Sequence, residues 1–298
     1  MTEAQTTFRS GFVAIAGAPN TGKSTLLNRL LGQKISITSQ RPQTTRNRVL
    51  GVVHRQGAQM VFVDTPGIHR AIGPLNERIV DEAFSALTEA DMVLLMVDAS
   101  HPDEASEGLL LERMASLRSP VILALNKIDL ISREKLLKEI DRWSRRHEFA
   151  ALVPICATSG DQVAALLLEM ERLLPEGPPF FPEDALTDLP QRFIVAEMVR
   201  EKVFRLTDQE IPYATAVTVE SFKEKGRVVH IHATVHVERD SQKGIVIGKK
   251  GQKLKQIGEA ARAEIEHLLE ARVFLKLFVR VQKNWSRDTR ALRRFGYG

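Results

Sequence analysis

The sequence predicts an α/β domain, a mostly parallel six-stranded sheet with helices on both faces, followed by a smaller α+β domain. Three observations carry this expectation. Between Phe12 and Leu174, short apolar runs alternate with longer segments whose apolar residues recur at three- and four-residue steps, the signature of strands joined by helical crossovers. Pro175–Pro182 then carries four prolines in eight residues and cannot continue a helix. Beyond it the order changes to helix, strand, strand, helix, helix, strand.

In chain order, the predicted strands of the first domain are Phe12–Ala16, an edge strand at Val49–Val53, Met60–Val63, Met92–Val97, Val121–Leu125 and Leu152–Cys156. Helical periodicity covers Ser24–Leu31, Leu75–Leu87, Glu104–Leu117, Ser132–His147 and Gln162–Leu173. The second domain is expected to hold a helix at Gln191–Leu206, strands at Tyr213–Phe222 and Arg227–Val237, two short helices around Gly248–Gly251 and a last strand at Val273–Val281. These patterns give a flexible start at residues 1–10, a first domain at 11–174, a Pro-rich linker at 175–190 and a second domain at 191–298 ending in a basic helix.

Composition narrows the setting. The chain has 298 residues, 43% of them hydrophobic and 27% charged, near the average for folded globular proteins. Its apolar runs fall far short of the roughly 20 residues that cross a bilayer, and Met1–Ser10 has neither an apolar leader core nor an Arg-rich, acid-poor import sequence. One cysteine, Cys156, can form no internal disulfide, which suits a reducing cytosol. The net charge of +5 is uneven: residues 1–184 hold 20 Lys and Arg against 23 Asp and Glu, and the remainder 22 against 14. A basic second domain points to nucleic acid or an anionic surface as partner.

Gly17-Ala18-Pro19-Asn20-Thr21-Gly22-Lys23-Ser24 follows a strand and opens a helix, the context of a phosphate-binding loop. Its backbone amides and the helix N-terminus attract phosphate, Lys23 reaches the β- and γ-oxygens, and Ser24 ligates magnesium. Met60–Asp64 ends in Asp64-Thr65-Pro66-Gly67-Ile68, where Asp64 can hold the magnesium shell and the Gly67 amide can meet the γ-phosphate. Asn126-Lys127-Ile128-Asp129 closes another strand. A carboxylate at Asp129 accepts from both N1–H and the exocyclic amine of guanine, a pair that adenine does not offer; Asn126 braces the loop and the Lys127 stem packs on the base. Cys156-Ala157 offers a backbone amide to guanine O6.

In the second domain, Gly248-Lys249-Lys250-Gly251 matches the Gly-x-x-Gly clamp that holds about four nucleotides. Leu254, Ile257, Ala261, Ile265 and Leu268 follow at helical spacing, so the loop joins two helices. Lys249, Lys250, Lys253 and Lys255 supply charge for a sugar-phosphate chain. His230, His232 and His236 share a strand face, expected to be solvated rather than a metal site. The basic run Lys283–Arg294 either touches RNA or seals the domain.

The succession of these motifs resembles the translation-factor (TRAFAC) class of GTPases. The segment Gln43-Thr44-Thr45-Arg46-Asn47, with a type II KH order after one GTPase domain, is similar to the Era-like family. The resemblance implies a magnesium-dependent GTPase in which one of Thr44 and Thr45, with Thr45 the preferred assignment, supplies a further metal ligand beside Ser24 and Asp64, and in which Lys23, Thr45 and Gly67 carry catalysis. Ile68 stands where Ras-like GTPases place a water-orienting glutamine, so turnover is expected to be slow. Cys156 replaces the family's usual serine. The resemblance further implies potassium near Asn20, the 3′ end of 16S rRNA and the small (30S) ribosomal subunit as partners, a monomer in the cytoplasm, and weak peripheral contact with the cytoplasmic face of the inner membrane. His69 reads as a loop histidine rather than a base. The competing readings are a P-loop ATPase or kinase, in which Asp129 has no part in base choice, and a switch whose second domain binds a protein.

Overall fold

The apolar runs of the first part become six strands of one sheet: β1 (Arg9–Ala16), β2 (Val49–Arg55), β3 (Ala58–Asp64), β4 (Met92–Asp98), β5 (Val121–Asn126) and β6 (Ala151–Pro154). They stand in the order β2-β3-β1-β4-β5-β6, all parallel except β2, which runs antiparallel to β3. This computed structural model describes residues 7–39, 48–68, 74–207, 211 and 214–295. The described residues form two units: those up to Ser36 with Arg48–Asp188, and those from Leu189 onward with Ile37–Ser39.

Among the described residues, four helices lie between the strands, α1 (Lys23–Leu31), α2 (Pro74–Glu89), α3 (Glu104–Met114) and α4 (Arg133–Ser144), and α5 (Val163–Leu173) follows the last one. Strands buried on both faces read as continuous apolar runs, as β4 does with all seven residues buried. Ala83 and Leu87 of α2, Leu110 and Met114 of α3 and Trp143 of α4 pack with Ala14, Leu95 and Leu123 into one core layer. Helix α1 lies against β2 and β3; a Cβ at Gly51 would stand 2.6 Å from Leu27, so the bare backbone there lets α1 settle on the edge strand. The last strand ends at Pro154, two residues before the expected Cys156, because residues 155–157 turn away toward the strand-end loops.

The Pro-rich segment runs along the sheet edge and turns at Pro182–Ala185. Gln59 accepts from the Phe180 and Phe181 amides at 2.7 and 3.0 Å and donates to the Phe181 carbonyl. Val52 N–H donates to the Leu186 carbonyl at 2.9 Å, and Phe181 packs with Leu50, Val52 and Val61.

The second unit contains α6 (Gln191–Leu206), β7 (Ala216–Lys225), β8 (Val228–Val237), α7 (Asp240–Ile247), α8 (Gln252–Leu269), β9 (Arg272–Val281) and α9 (Thr289–Arg294). Its sheet has the order β7-β8-β9, with β7 antiparallel and β9 parallel to β8. Helix α8 is 18 residues long rather than short, and β7 starts three residues later than expected. The helices cover one face of this sheet: Ile257, Ala261 and Ile265 of α8 are buried with Val229, Ile231 and Ala233 of β8. Lys202 of α6 pairs with Glu264 of α8, an ion pair that joins the two helices.

Candidate functional site

The loop between β1 and α1 is built around two side-chain ties. Lys23 turns back under it and donates to the carbonyls of Gly17 and Ala18 at 3.0 and 2.9 Å. Thr21 Oγ1 donates to the Ala18 carbonyl. Gly22 has φ 101°, and a Cβ there would collide with Asn126 Nδ2, so only glycine lets β5 reach the loop. Asn20, exposed at the tip, takes a left-handed conformation with φ 64°.

Asp64, at the end of β3, lies under the same loop. Its Oδ2 accepts from Ser24 at 2.7 Å and from Ser36 at 2.8 Å. Its Oδ1 is buried with no hydrogen-bond partner among the described residues. Burial pushes the Asp64 carboxyl up, against the opposing pull of Ser24, the Lys23 charge and Ser36. Burial likewise pulls Lys23 down to about 8, opposed by the Asp64 charge. A buried carboxylate oxygen without a partner, next to a serine hydroxyl, is a donor set that suits a hard divalent cation.

The chain after Asp64 is pinned to the phosphate loop. Thr65 Oγ1 donates to the Ile15 carbonyl at 2.8 Å, and Ile68 N–H donates to the Gly17 carbonyl at 3.1 Å. Pro66 is buried, and a Cβ at Gly67 would stand 2.8 Å from Pro19 Cα. The Ile68 side chain is fully buried in the core layer with Ala83 and Leu87, so only its backbone borders the site. Thr44, Thr45 and His69 lie outside the described residues.

Asn126 ties the base side together: its Nδ2 donates to the Thr21 carbonyl at 2.7 Å and its Oδ1 accepts from Ala157 N–H at 2.9 Å. Lys127 follows with φ 64° and donates to Asp98 Oδ2 at 2.6 Å. Burial alone would raise the Asp98 carboxyl, but the Lys127 and Ser100 hydrogen bonds and the Lys127 charge outweigh it and hold the group below its ordinary value. Ile128 and Asp129 sit in a short 3-10 turn, with Asp129 exposed. Cys156 and Ala157 are buried. Arg29 of α1 donates to the Ala157 carbonyl at 3.3 Å and also to the Thr158 carbonyl.

Sequence reasoning missed Ser36, Asn28, Arg29 and Asp98. Asn28 Oδ1 accepts from the Ile35 and Ser36 amides, which aims the Ser36 hydroxyl at Asp64. Neither residue belongs to a motif with fixed spacing. Asp98 directly follows an apolar run, and its tie to Lys127 joins two strand ends that spacing alone does not bring together.

In the second unit, Gly248, with φ 70°, turns the chain from α7 toward α8; a Cβ there would stand 2.6 Å from Lys253 Cβ. Gly251, with φ 77°, caps α8. Lys249, Lys250 and Lys255 are exposed and Lys253 half-buried. The expected solvated histidine face needs correction at one position. His230 and His232 are half-buried, but His236 is fully buried: the Phe295 ring lies 4.6 Å away and Thr218 Oγ1 is hydrogen-bonded to Nε2 at 2.8 Å. The basic tail thus seals one end of the sheet through Trp285, Leu292 and Phe295, all buried.

Residues 12–127 match the family model described as a 50S ribosome-binding GTPase, and residues 210–286 match the KH domain. GTPase Era of Geotalea uraniireducens (strain Rf4) is 57% identical over 298 residues, 100% of both chains. The chain belongs to the Era family of GTPases. GTPase Era of Geobacter metallireducens is 55% identical over 292 residues, covering 97% of this chain and 98% of its own. A variant of Aquifex aeolicus Era bound to GDP.AlF4- is 42% identical with a TM-score of 0.93, covering 98% of this chain and 100% of that one. An Era structure with MgGDPNP and nucleotides 1506–1542 of 16S ribosomal RNA matches with the same identity and TM-score, over 98% and 99%. As an Era-family member the chain hydrolyses GTP, with its phosphate loop after β1 tied to the Asn126–Asp129 segment at the end of β5 by the Asn126–Thr21 hydrogen bond.

Proposed function

We propose that this GTPase acts in small-subunit ribosome biogenesis, binding near the 3′ end of 16S rRNA through Gly248, Lys249, Lys250, Gly251, Lys253 and Lys255. The observation that carries this reading is the whole-chain likeness to an Era structure holding nucleotides 1506–1542 of 16S rRNA, joined to a loop whose glycines permit close approach of a backbone and whose lysines face solvent. The working units are residues 11–174, a linker at 175–190 and a KH domain at 191–298.

Residues Gly17–Ser24 hold the phosphates, Asp129 selects guanine, and Asn126, Lys127, Cys156 and Ala157 shape the base pocket. Ser24, Asp64 and Thr45 hold magnesium. When bound, that ion neutralises charge on the β- and γ-oxygens. Lys23 carries its positive charge to the same oxygens, and the Gly67 amide donates to the γ-phosphate. Ile68 offers no polar group to orient water, which supports slow turnover. Asn20 at the loop tip is the proposed potassium contact, tested by comparing hydrolysis in potassium and sodium. The protein works as a cytoplasmic monomer, and its basic second unit supports weak contact with an anionic membrane surface; no helix among the described residues is long and apolar enough to cross a membrane.

The direct test is binding of a 16S 3′-end fragment and of an unrelated RNA of equal length. The reading expects preference for the fragment and loss of it in the Lys249→Asp, Lys250→Asp chain. Equal binding of both RNAs, or indifference to the loop, would overturn it.

A further inference from the structure

Two of the strand histidines, His230 and His232, find a place on a surface that the loop does not use. Helices cover one face of the β7-β8-β9 sheet. On the other, the pairing register sets Lys223, His230 and Phe274 in one row, Ser221, His232 and Lys276 in the next, and Thr218, Thr234 and Phe278 in a third. Leu277 packs toward Gly258 of α8, so its neighbours Lys276 and Phe278 point the opposite way.

This face has an unusual make-up. Phe274 and Phe278 are 50% and 44% exposed on a strand where apolar side chains normally turn inward. Each ring has an imidazole beside it: His230 lies 5.2 Å from Phe274 and His232 lies 6.3 Å from Phe278. Lys276 sits between the two rings along β9, its ammonium 5.0 Å from the Phe278 centroid. Arg272 and Arg280 extend the positive line along the same side of β9. Glu220, which accepts from Thr218 Oγ1 at 3.0 Å, is the one acidic strand residue of this face.

We propose that this open sheet face is a second binding surface, for single-stranded RNA. Bases stack on aromatic rings whatever their identity, while lysine and arginine follow the backbone between them. Two rings four residues apart on a strand stand about 13 Å from one another, with a cation midway. Sheet platforms elsewhere stack two or three bases on such aromatics. The alternation decides between occupants: rings spaced along the strand with cations between them match the repeat of bases and phosphates, and a phosphate backbone is attracted to each cation. The surface lies across the sheet from the α7–α8 side, so it acts independently of the Gly248–Gly251 loop.

The test uses the full chain with Lys249→Asp and Lys250→Asp, so that loop binding is suppressed, and polyuridylate as probe. Residual, salt-dependent affinity is expected. Phe274→Ala and Phe278→Ala should each lower it roughly fivefold to a hundredfold, with thermal melting and GTP hydrolysis unchanged. Tyrosine at either position should keep the affinity and leucine should not, which separates stacking from simple apolar contact. No residual binding in the loop-reversed chain would overturn the proposal while leaving the loop reading intact. Equal binding by the leucine variants would also overturn it, because the residual affinity would then not come from stacking on these rings. If loop reversal changes nothing and the alanine variants abolish binding, this proposal stands and the loop reading falls.

Discussion

Asn126 uses both ends of its amide on two different loops, Thr21 on one side and Ala157 on the other. Asn126→Ala leaves two buried partners unmatched, so it should destabilise the first unit by about 2–4 kcal/mol and weaken GTP binding at least tenfold, read by fluorescent-nucleotide titration. Asp129 makes a cleaner test because it is exposed on a short turn. Asp129→Asn should keep the fold, weaken GTP and favour xanthosine triphosphate, whose base presents the complementary pattern; unchanged GTP affinity would remove its assigned role. Asp98 contributes to the acid dependence of stability. Its folded value lies below the ordinary 3.8, so it contributes stability above that pH, which is lost as pH falls through the depressed folded value. An acid melting series should therefore be less steep for Asp98→Asn than for the parent. The motif residues of this site were legible because phosphate and guanine fix both residue type and spacing. Ser36 and Asn28 were not, because a loop that merely has to reach Asp64 leaves no periodic trace.

At the level of elements, the strands and helices of the first unit were readable from period alone, since buried parallel strands are almost wholly apolar. The misreadings fell where tertiary contacts decide. The chain leaves the sheet after Ile155 because the Cys156 amide is taken by the Asp161 carbonyl and the Ala157 amide by the Asn126 side chain. His236 is buried because a tail aromatic, 59 positions further on, folds back over it, which strand alternation cannot reveal. The loop between α7 and α8 gives an element-scale prediction. Gly248→Ala introduces a Cβ 2.6 Å from Lys253 at a φ of 70°, so it should cost about 1–3 kcal/mol and lower RNA affinity even though it removes no charge. Reversing Lys249 and Lys250 should instead reduce the salt dependence, by roughly 0.7 in log–log slope for each phosphate that is no longer neutralised.

For the whole molecule, one chain carries an acidic half that resembles GTPases and a basic half that resembles RNA binders, and this asymmetry was visible in the charge count before any fold was known. What the sequence left open was the sheet face of the second unit, because exposed aromatics on alternate positions of β9 look like core residues until the register shows which side the helices occupy. The central claim is that a guanine-nucleotide site and an RNA-binding unit act together on the small-subunit RNA. Crosslinking the protein in cells and sequencing the attached RNA, for the parent and for the Lys249→Asp, Lys250→Asp chain, with purified samples loaded with GTP or GDP alongside, tests it most directly. The account predicts reads gathered at the 3′ end of 16S rRNA, more with GTP than with GDP and strongly reduced by loop reversal; reads spread evenly over cellular RNA, the same for both nucleotides, would contradict it.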